Sequence, residues 1–184
     1  MRIGLFGGTF DPVHNAHVKI AEHAIKEFGL EEVWFLADKI PRRKTNVTDY
    51  RHRLQMLKEA TKHNPKLITE IQDYPQTSSN YDSAFFKHVT DKYKTHEFYL
   101  IIGADSAKYL MYWDNIEDYI LKAKFIIINR NDELLDDFPK SLNYQIANLE
   151  NLDISSTAIR NNLSANINNL DGLVYRYILD NKLY

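Results

Sequence analysis

Short runs of apolar residues alternate along this chain with longer stretches in which apolar positions recur three or four apart. Residues 3–6, 33–36, 67–71, 98–102 and 125–128 are nearly unbroken in apolar side chains and rich in β-branched or aromatic types. Strands covered on both faces read this way. The spacing predicts a helix over 16–28, with Ile20, Ala24 and Phe28 four apart and Gly29 as its stop. A second helix is predicted over 50–62, with Leu54, Leu57 and Thr61 on one side, and weaker ones over 80–93 and 115–121. Residues 129–140 (NRNDELLDDFPK) are polar and read as a loop. Strand and helix alternating in this order predict a doubly wound, Rossmann-like parallel sheet with flanking helices. No repeat or low-complexity linker divides residues 1–184, which read as a single domain.

Composition narrows the partners. With 184 residues, 44% of them hydrophobic, the chain is long enough to bury a full core. A formal net charge of -2 gives no broad basic surface, so nucleic acid is not an expected partner. The apolar runs fall far short of the ~20 residues needed to cross a bilayer, and the first residues lack the regions of a signal peptide. The absence of cysteine suits a reducing compartment. A soluble, cytoplasmic protein is expected.

In an open parallel sheet, ligands sit beyond the carboxyl ends of the strands where the strand order reverses. The residues just after each strand therefore hold the candidate chemistry. After the first strand comes Gly7-Gly8-Thr9-Phe10-Asp11-Pro12-Val13-His14-Asn15-Ala16-His17. Two glycines there let backbone amides approach a phosphate closely. The pattern is not the G-x-G-x-x-G of a nicotinamide-dependent dehydrogenase. His14 and His17, three apart at a helix start, can project from one face and donate to phosphoryl oxygens. Asp11 and the two histidines could also ligate a metal, but no further ligand completes a closed zinc site. Near the other end, Ser155 and Ser156 are natural N-cap residues and open a helix whose amide end suits anions. Arg160, one turn on, could hold two phosphate oxygens. Taken alone, that segment reads first as an ordinary capped helix with a solvated arginine.

GGTFDPVHNAH resembles the first signature of the nucleotidylyltransferase superfamily, and specifically of bacterial nicotinate-nucleotide adenylyltransferases. The resemblance implies that Gly7, Gly8, Thr9 and Phe10 line an ATP site and that His14 and His17 face the ATP phosphates. Ala16 stands where the family has glycine. Ile154-Ser155-Ser156-Thr157-Ala158-Ile159-Arg160 resembles the second signature, implying that Ile154, Ser155, Ser156 and Arg160 hold the β- and γ-phosphates. IIGADSAKYLMYW, residues 101–113, resembles the pyridine-nucleotide branch: Gly103 and Asp105 on the ATP side, Tyr109 and Trp113 beside the pyridine mononucleotide. Tyr109 also suits the core, and Asp105 also suits capping the next helix. Lys44 matches a family position that holds a substrate phosphate, whereas Arg42 and Arg43 replace a proline and a histidine. Asp82 and Ser83 align with a mononucleotide-binding segment, and residues 177–184 resemble the family's C-terminal helical segment and ending.

The implied activity is transfer of AMP from ATP to nicotinate mononucleotide in NAD biosynthesis, with Mg²⁺ carried by ATP rather than by a protein metal site. His14, His17, Lys44 and Arg160 are the implied catalytic residues. The sequence does not separate the nicotinate from the nicotinamide substrate, nor does it give an oligomeric state. A phosphopantetheine-dependent sister family and a non-catalytic ATP sensor are the competing readings.

Overall fold

The computed structural model describes residues 1–39, 41, 44–69, 83–113, 115–129, 142–150 and 152–184, without the side chains of residues 83–85. Six parallel strands form one sheet: β1 (Arg2–Gly8), β2 (Glu32–Ala37), β3 (Leu67–Ile68), β4 (Glu97–Gly103), β5 (Ala123–Asn129) and β6 (Tyr144–Asn148). Their spatial order is β3-β2-β1-β4-β5-β6, so the chain winds outward in one direction from β1 and then in the other from β4. Leu5 stands beside Trp34 of β2 and Leu100 of β4, at the centre of the ladder.

The period-two alternation of each strand divides its side chains between two cores. Ile3, Leu5, Trp34, Leu36, Phe98, Leu100, Ile102, Phe125 and Ile127 face one layer. That layer is built from α3 (Ser83–Lys92), α4 (Ala104–Ala107), the 3₁₀ turn Leu110–Tyr112 and α5 (Ile116–Lys122). Phe6, Val33, Phe35, Tyr99, Ile101, Ile126 and Ile128 face the other. There lie α1 (Asn15–Phe28), α2 (Tyr50–Thr61), α6 (Ser156–Asn161), the 3₁₀ turn Ser164–Asn169 and α7 (Gly172–Asp180). At Gly4 a β-carbon would meet Ile101 and Leu30 at 2.9 Å, so the sheet and the chain entering β2 close only over hydrogen.

The predicted α1 forms with Ile20, Ala24 and Phe28 buried, and Gly29 ends it at φ +62°. In α2 the inward face differs from the predicted one. Arg53, Met56, Leu57 and Thr61 are buried, while Leu54 is half-buried. The helix is rotated because Arg53 has polar partners beneath it that outweigh one more leucine. β3 ends at Ile68, and the rest of its predicted run from Glu70 lies outside the described residues, as do Asn80 and residues 130–140. Asn129 itself belongs to β5. β6 was not predicted.

Candidate active site

The β1–β4 junction is where the winding reverses, and a cavity of about 290 Å³ opens there at the carboxyl ends of the strands. Phe6, Gly7, Gly8, Thr9, Phe10, His17, Lys44, Gly103, Asp105 and Ser156 contribute to its walls. Residues from the two ends of the sequence and from its middle thus meet at one place.

The loop leaving β1 is held in an uncommon shape. Phe10 adopts φ +50°, a left-handed conformation that side chains disfavour. Its ring packs edge-on to Phe6 at 5.7 Å and to Phe35 at 5.5 Å. A β-carbon on Gly8 would stand 2.9 Å from that ring. The glycine is therefore needed for Phe10 to fold back, a packing reason the sequence did not disclose. Gly103 is the opposite case. Its backbone is ordinary, with φ -73° and ψ 155°, and a β-carbon there would meet nothing within 4 Å. It leaves open space at the cavity wall.

His14 is the extended N-cap of α1, and His17 lies one turn inside. Their rings stack with centroids 3.7 Å apart. The backbone N–H of His14 donates to His17 Nδ1 at 3.2 Å. With Nδ1 an acceptor, the proton of a neutral His17 ring sits on Nε2, which makes Nε2 the donor. Phe10 closes one side of this ring, edge-on at 5.0 Å. His14 is buried behind His17 and is not part of the cavity wall. Ala16 is fully buried in the core. It is not among the residues that line the cavity.

Arg53, which the sequence reading did not single out, braces the loop that lines the cavity. It is 1% exposed. Its Nη1 donates to the carbonyl of Thr9 at 2.7 Å and its Nε to that of Thr48 at 2.8 Å. The guanidinium also lies over the Tyr50 ring at 5.6 Å. Burial pulls its pKa down, opposed by the charges of Asp11 and Asp38. A buried arginine on a predicted apolar helix face was the available signal, since such a residue is kept inside only with partners.

The second motif arrives from the other side. Ser155 caps α6, accepting from the Ala158 N–H at 3.4 Å. Ser156 Oγ donates to the Pro12 carbonyl at 2.9 Å, across 144 positions of sequence. Arg160 donates to the Asp11 carbonyl and to Thr157 Oγ1. Ile154 packs against the core. Ile154, Ser155 and Arg160 are beside the cavity rather than in its wall.

The middle segment is divided. Asp105 lines the cavity from the first turn of α4, whose N-cap is Gly103, so the aspartate does not cap that helix. Tyr109 is 53% exposed, which excludes the core reading. Trp113 packs edge-on to Tyr119 at 5.8 Å, and neither Tyr109 nor Trp113 lines the cavity. Arg42, Arg43 and Asp82 lie outside the described residues, as does the side chain of Ser83.

The loop after β1, the N-terminus of α1 with its two histidines and the distant serine–arginine helix α6 thus meet at the carboxyl ends of the strands, where open α/β sheets bind ligands. The relatives of the chain are nucleotidyltransferases. The cytidylyltransferase-like family model matches residues 5–162. Nicotinate-nucleotide adenylyltransferase of Bacillus subtilis (strain 168) is 31% identical over 188 residues, covering 100% of this chain and 98% of its own. The protein of Bacillus pumilus named "Probable nicotinate-nucleotide adenylyltransferase" is 33% identical, with 100% and 98% covered. Among solved structures, Plasmodium falciparum nicotinic acid mononucleotide adenylyltransferase complexed with NaAD shares the fold at a TM-score of 0.81 and 22% identity, covering 100% of this chain and 97% of that one. The chain belongs to the nicotinate-nucleotide adenylyltransferase family.

Proposed function

We propose that the protein joins nicotinate mononucleotide to the AMP part of ATP, releasing pyrophosphate and forming nicotinate adenine dinucleotide in NAD biosynthesis. The observation that carries this reading is that His17 and Ser156, from opposite ends of the sequence, line one cavity at the strand-order reversal. The 5′-phosphate of the mononucleotide attacks the α-phosphorus of ATP. A new P–O bond forms as the bond to the bridging oxygen of the β-phosphate breaks. The nucleophile is already an anion at neutral pH, so no general base is needed. The protein's work is to bring two repelling anions together and to neutralise charge that builds on the α-phosphoryl and bridging oxygens.

In this reading His17 donates through Nε2 to the α-phosphate, and His14, stacked behind it, holds its orientation and adds charge when protonated. Lys44 meets the attacking phosphate at the cavity edge. Gly7, Gly8, Thr9 and Phe10 shape the nucleotide wall, and the open space at Gly103 admits the ligand against β4. Asp105 accepts from ribose. Ser155, Ser156, the N-terminal amides of α6 and Arg160 receive the β- and γ-phosphates. Ile154 acts through the core packing that seats α6. Tyr109, Trp113, Asp82 and Ser83 belong to the mononucleotide side. Nucleotidyltransferases acting on ATP use a divalent cation, here Mg²⁺. Among the described residues no three His, Asp or Glu side chains come together to hold one, so the triphosphate would be its main ligand. Small soluble substrates suit a cytoplasmic enzyme, and no helix among the described residues is long and apolar enough to cross a membrane.

The test is pyrophosphate release from Mg-ATP with nicotinate mononucleotide, nicotinamide mononucleotide and phosphopantetheine offered separately. Release with the nicotinate acceptor well above the other two is expected. Release with phosphopantetheine alone, or with none from folded protein, would overturn the reading. His17→Ala should keep the fold and lose ~10²–10³ in kcat, the scale of one lost transition-state donor.

A further inference from the structure

Asp11 ties together parts of the chain that the proposed reaction needs in register. The residue is 3% exposed. The hydroxyl of Tyr184 donates to Oδ1 at 2.6 Å, and the N–H of Thr48, in the segment following Lys44, donates to Oδ2 at 3.2 Å. The backbone carbonyl of the same aspartate accepts from Arg160 Nη1. Thr157 accepts from Nη2, so among the described residues two of the five donors of Arg160 are engaged. The Asp11 carbonyl therefore sets the direction in which the guanidinium points.

Tyr184 reaches Asp11 across 173 positions because of how α7 ends. Lys182 takes φ +53°. Its N–H donates to the Leu179 carbonyl at 3.1 Å, and that of Leu183 donates to the Ile178 carbonyl at 3.0 Å. These are the two reversed bonds of a Schellman turn. They send the chain back, and Leu183 packs against the core. Although Tyr184 as a whole is 42% exposed, its hydroxyl is directed inward. Burial, and next the Asp11 bond, push this phenol's pKa up.

We propose that Tyr184 is a positioning residue for adenylyl transfer: its hydroxyl fixes Asp11, and the Asp11 carbonyl aims Arg160 at the departing pyrophosphate. The proposal rests on the function argued above. An oriented donor loses much of its effect when displaced by a fraction of an ångström, because the reaction depends on alignment as much as on charge.

The experiment is a cycle of Tyr184→Phe and Arg160→Ala, read as pyrophosphate release with nicotinate mononucleotide. Tyr184→Phe removes one oxygen and keeps the ring. It should lower kcat/KM for ATP about tenfold, the scale of one hydrogen bond to a charged group, with the KM for the mononucleotide unchanged. In the Arg160→Ala background the same substitution should change nothing further. A tenfold loss in both backgrounds would mean that Tyr184 acts elsewhere and would overturn the proposal. So would undiminished turnover in the parent background, where a lowered melting temperature alone would mark the bond as structural only. A parent enzyme that releases no pyrophosphate would instead remove the adenylyl-transfer reading and this role with it.

Discussion

The two ends of the parallel sheet each gather arginine, tyrosine and carboxylate, and they use them differently. At the amino ends, Arg2 donates to the Tyr99 hydroxyl at 2.6 Å and pairs with Glu97, which also binds Lys124. These charges lie on adjacent strands, and their side chains are about two-fifths exposed. At the carboxyl ends, Asp11, Arg53, Tyr184 and Arg160 come from four distant segments, and Asp11 and Arg53 are almost fully buried. A screened pair on one ladder can be lost with little consequence. A buried group with several partners cannot, since its removal strands every partner away from water. Similar residue types thus make a replaceable surface cluster at one end and the frame of the site at the other.

The sharpest way to break this comparison is Arg53→Met, which keeps the volume and removes the charge. It should cost about 3 kcal/mol in denaturant unfolding, as expected when the donor to two carbonyls is deleted beside the buried charge of Asp11. A loss no larger than that of a surface pair would erase the distinction. Next in size is Gly8→Ala. The new methyl would press on the Phe10 ring, which Phe6 and Phe35 keep from moving aside, at a cost of about 2 kcal/mol. Because Phe10 lines the cavity, the KM for ATP should rise as well. An unchanged KM would separate the loop's packing from its function.

Smallest is Glu97→Gln at the amino ends. Lys124 holds the Glu97 carboxyl below its ordinary value of 4.5. The group's stabilisation is therefore complete above that value and is lost as pH falls through the lowered folded-state pKa. Discounted for exposure, the substitution should cost under about 1 kcal/mol at neutral pH. The difference from the parent should shrink in acid and in high salt, with turnover untouched. A cost that ignored salt would show the surface cluster to be more than surface.

Much of this was legible in the residues. Five strands and the first helix announce themselves because their apolar runs meet a core on both faces or on one stripe. β6 did not, because it lies at the sheet edge and only Ala147 of its five residues is buried, with Tyr144 and Ile146 facing outward. The histidines, Lys44, Ser156 and Asp105 stood out by their place after strands or at helix starts. Arg53 did not, while Asp11 was read only as a possible metal ligand and Tyr184 only as part of the C-terminal ending, since their contacts join segments far apart in sequence. The same limit applied to Gly8 and Gly103. Both are glycines after strands, yet one is filled by its own chain and the other is open.

The cavity's position between β1 and β4 also governs when it can exist. β1 reaches β2 after one helix, but Arg2 meets Tyr99 only across 97 positions of chain. That pairing closes the largest loop joining neighbouring strands of the sheet, and such non-local contacts form slowly. On the ribosome, the first signature would emerge and wait for β2, α2, β3, α3 and β4 to follow before the wall at Gly103 was made. With ATP bound as proposed above, it cannot serve as an early ligand for the folding chain. Its binding would report that the central ladder has closed, so nucleotide protection in a refolding experiment should lag behind helix formation.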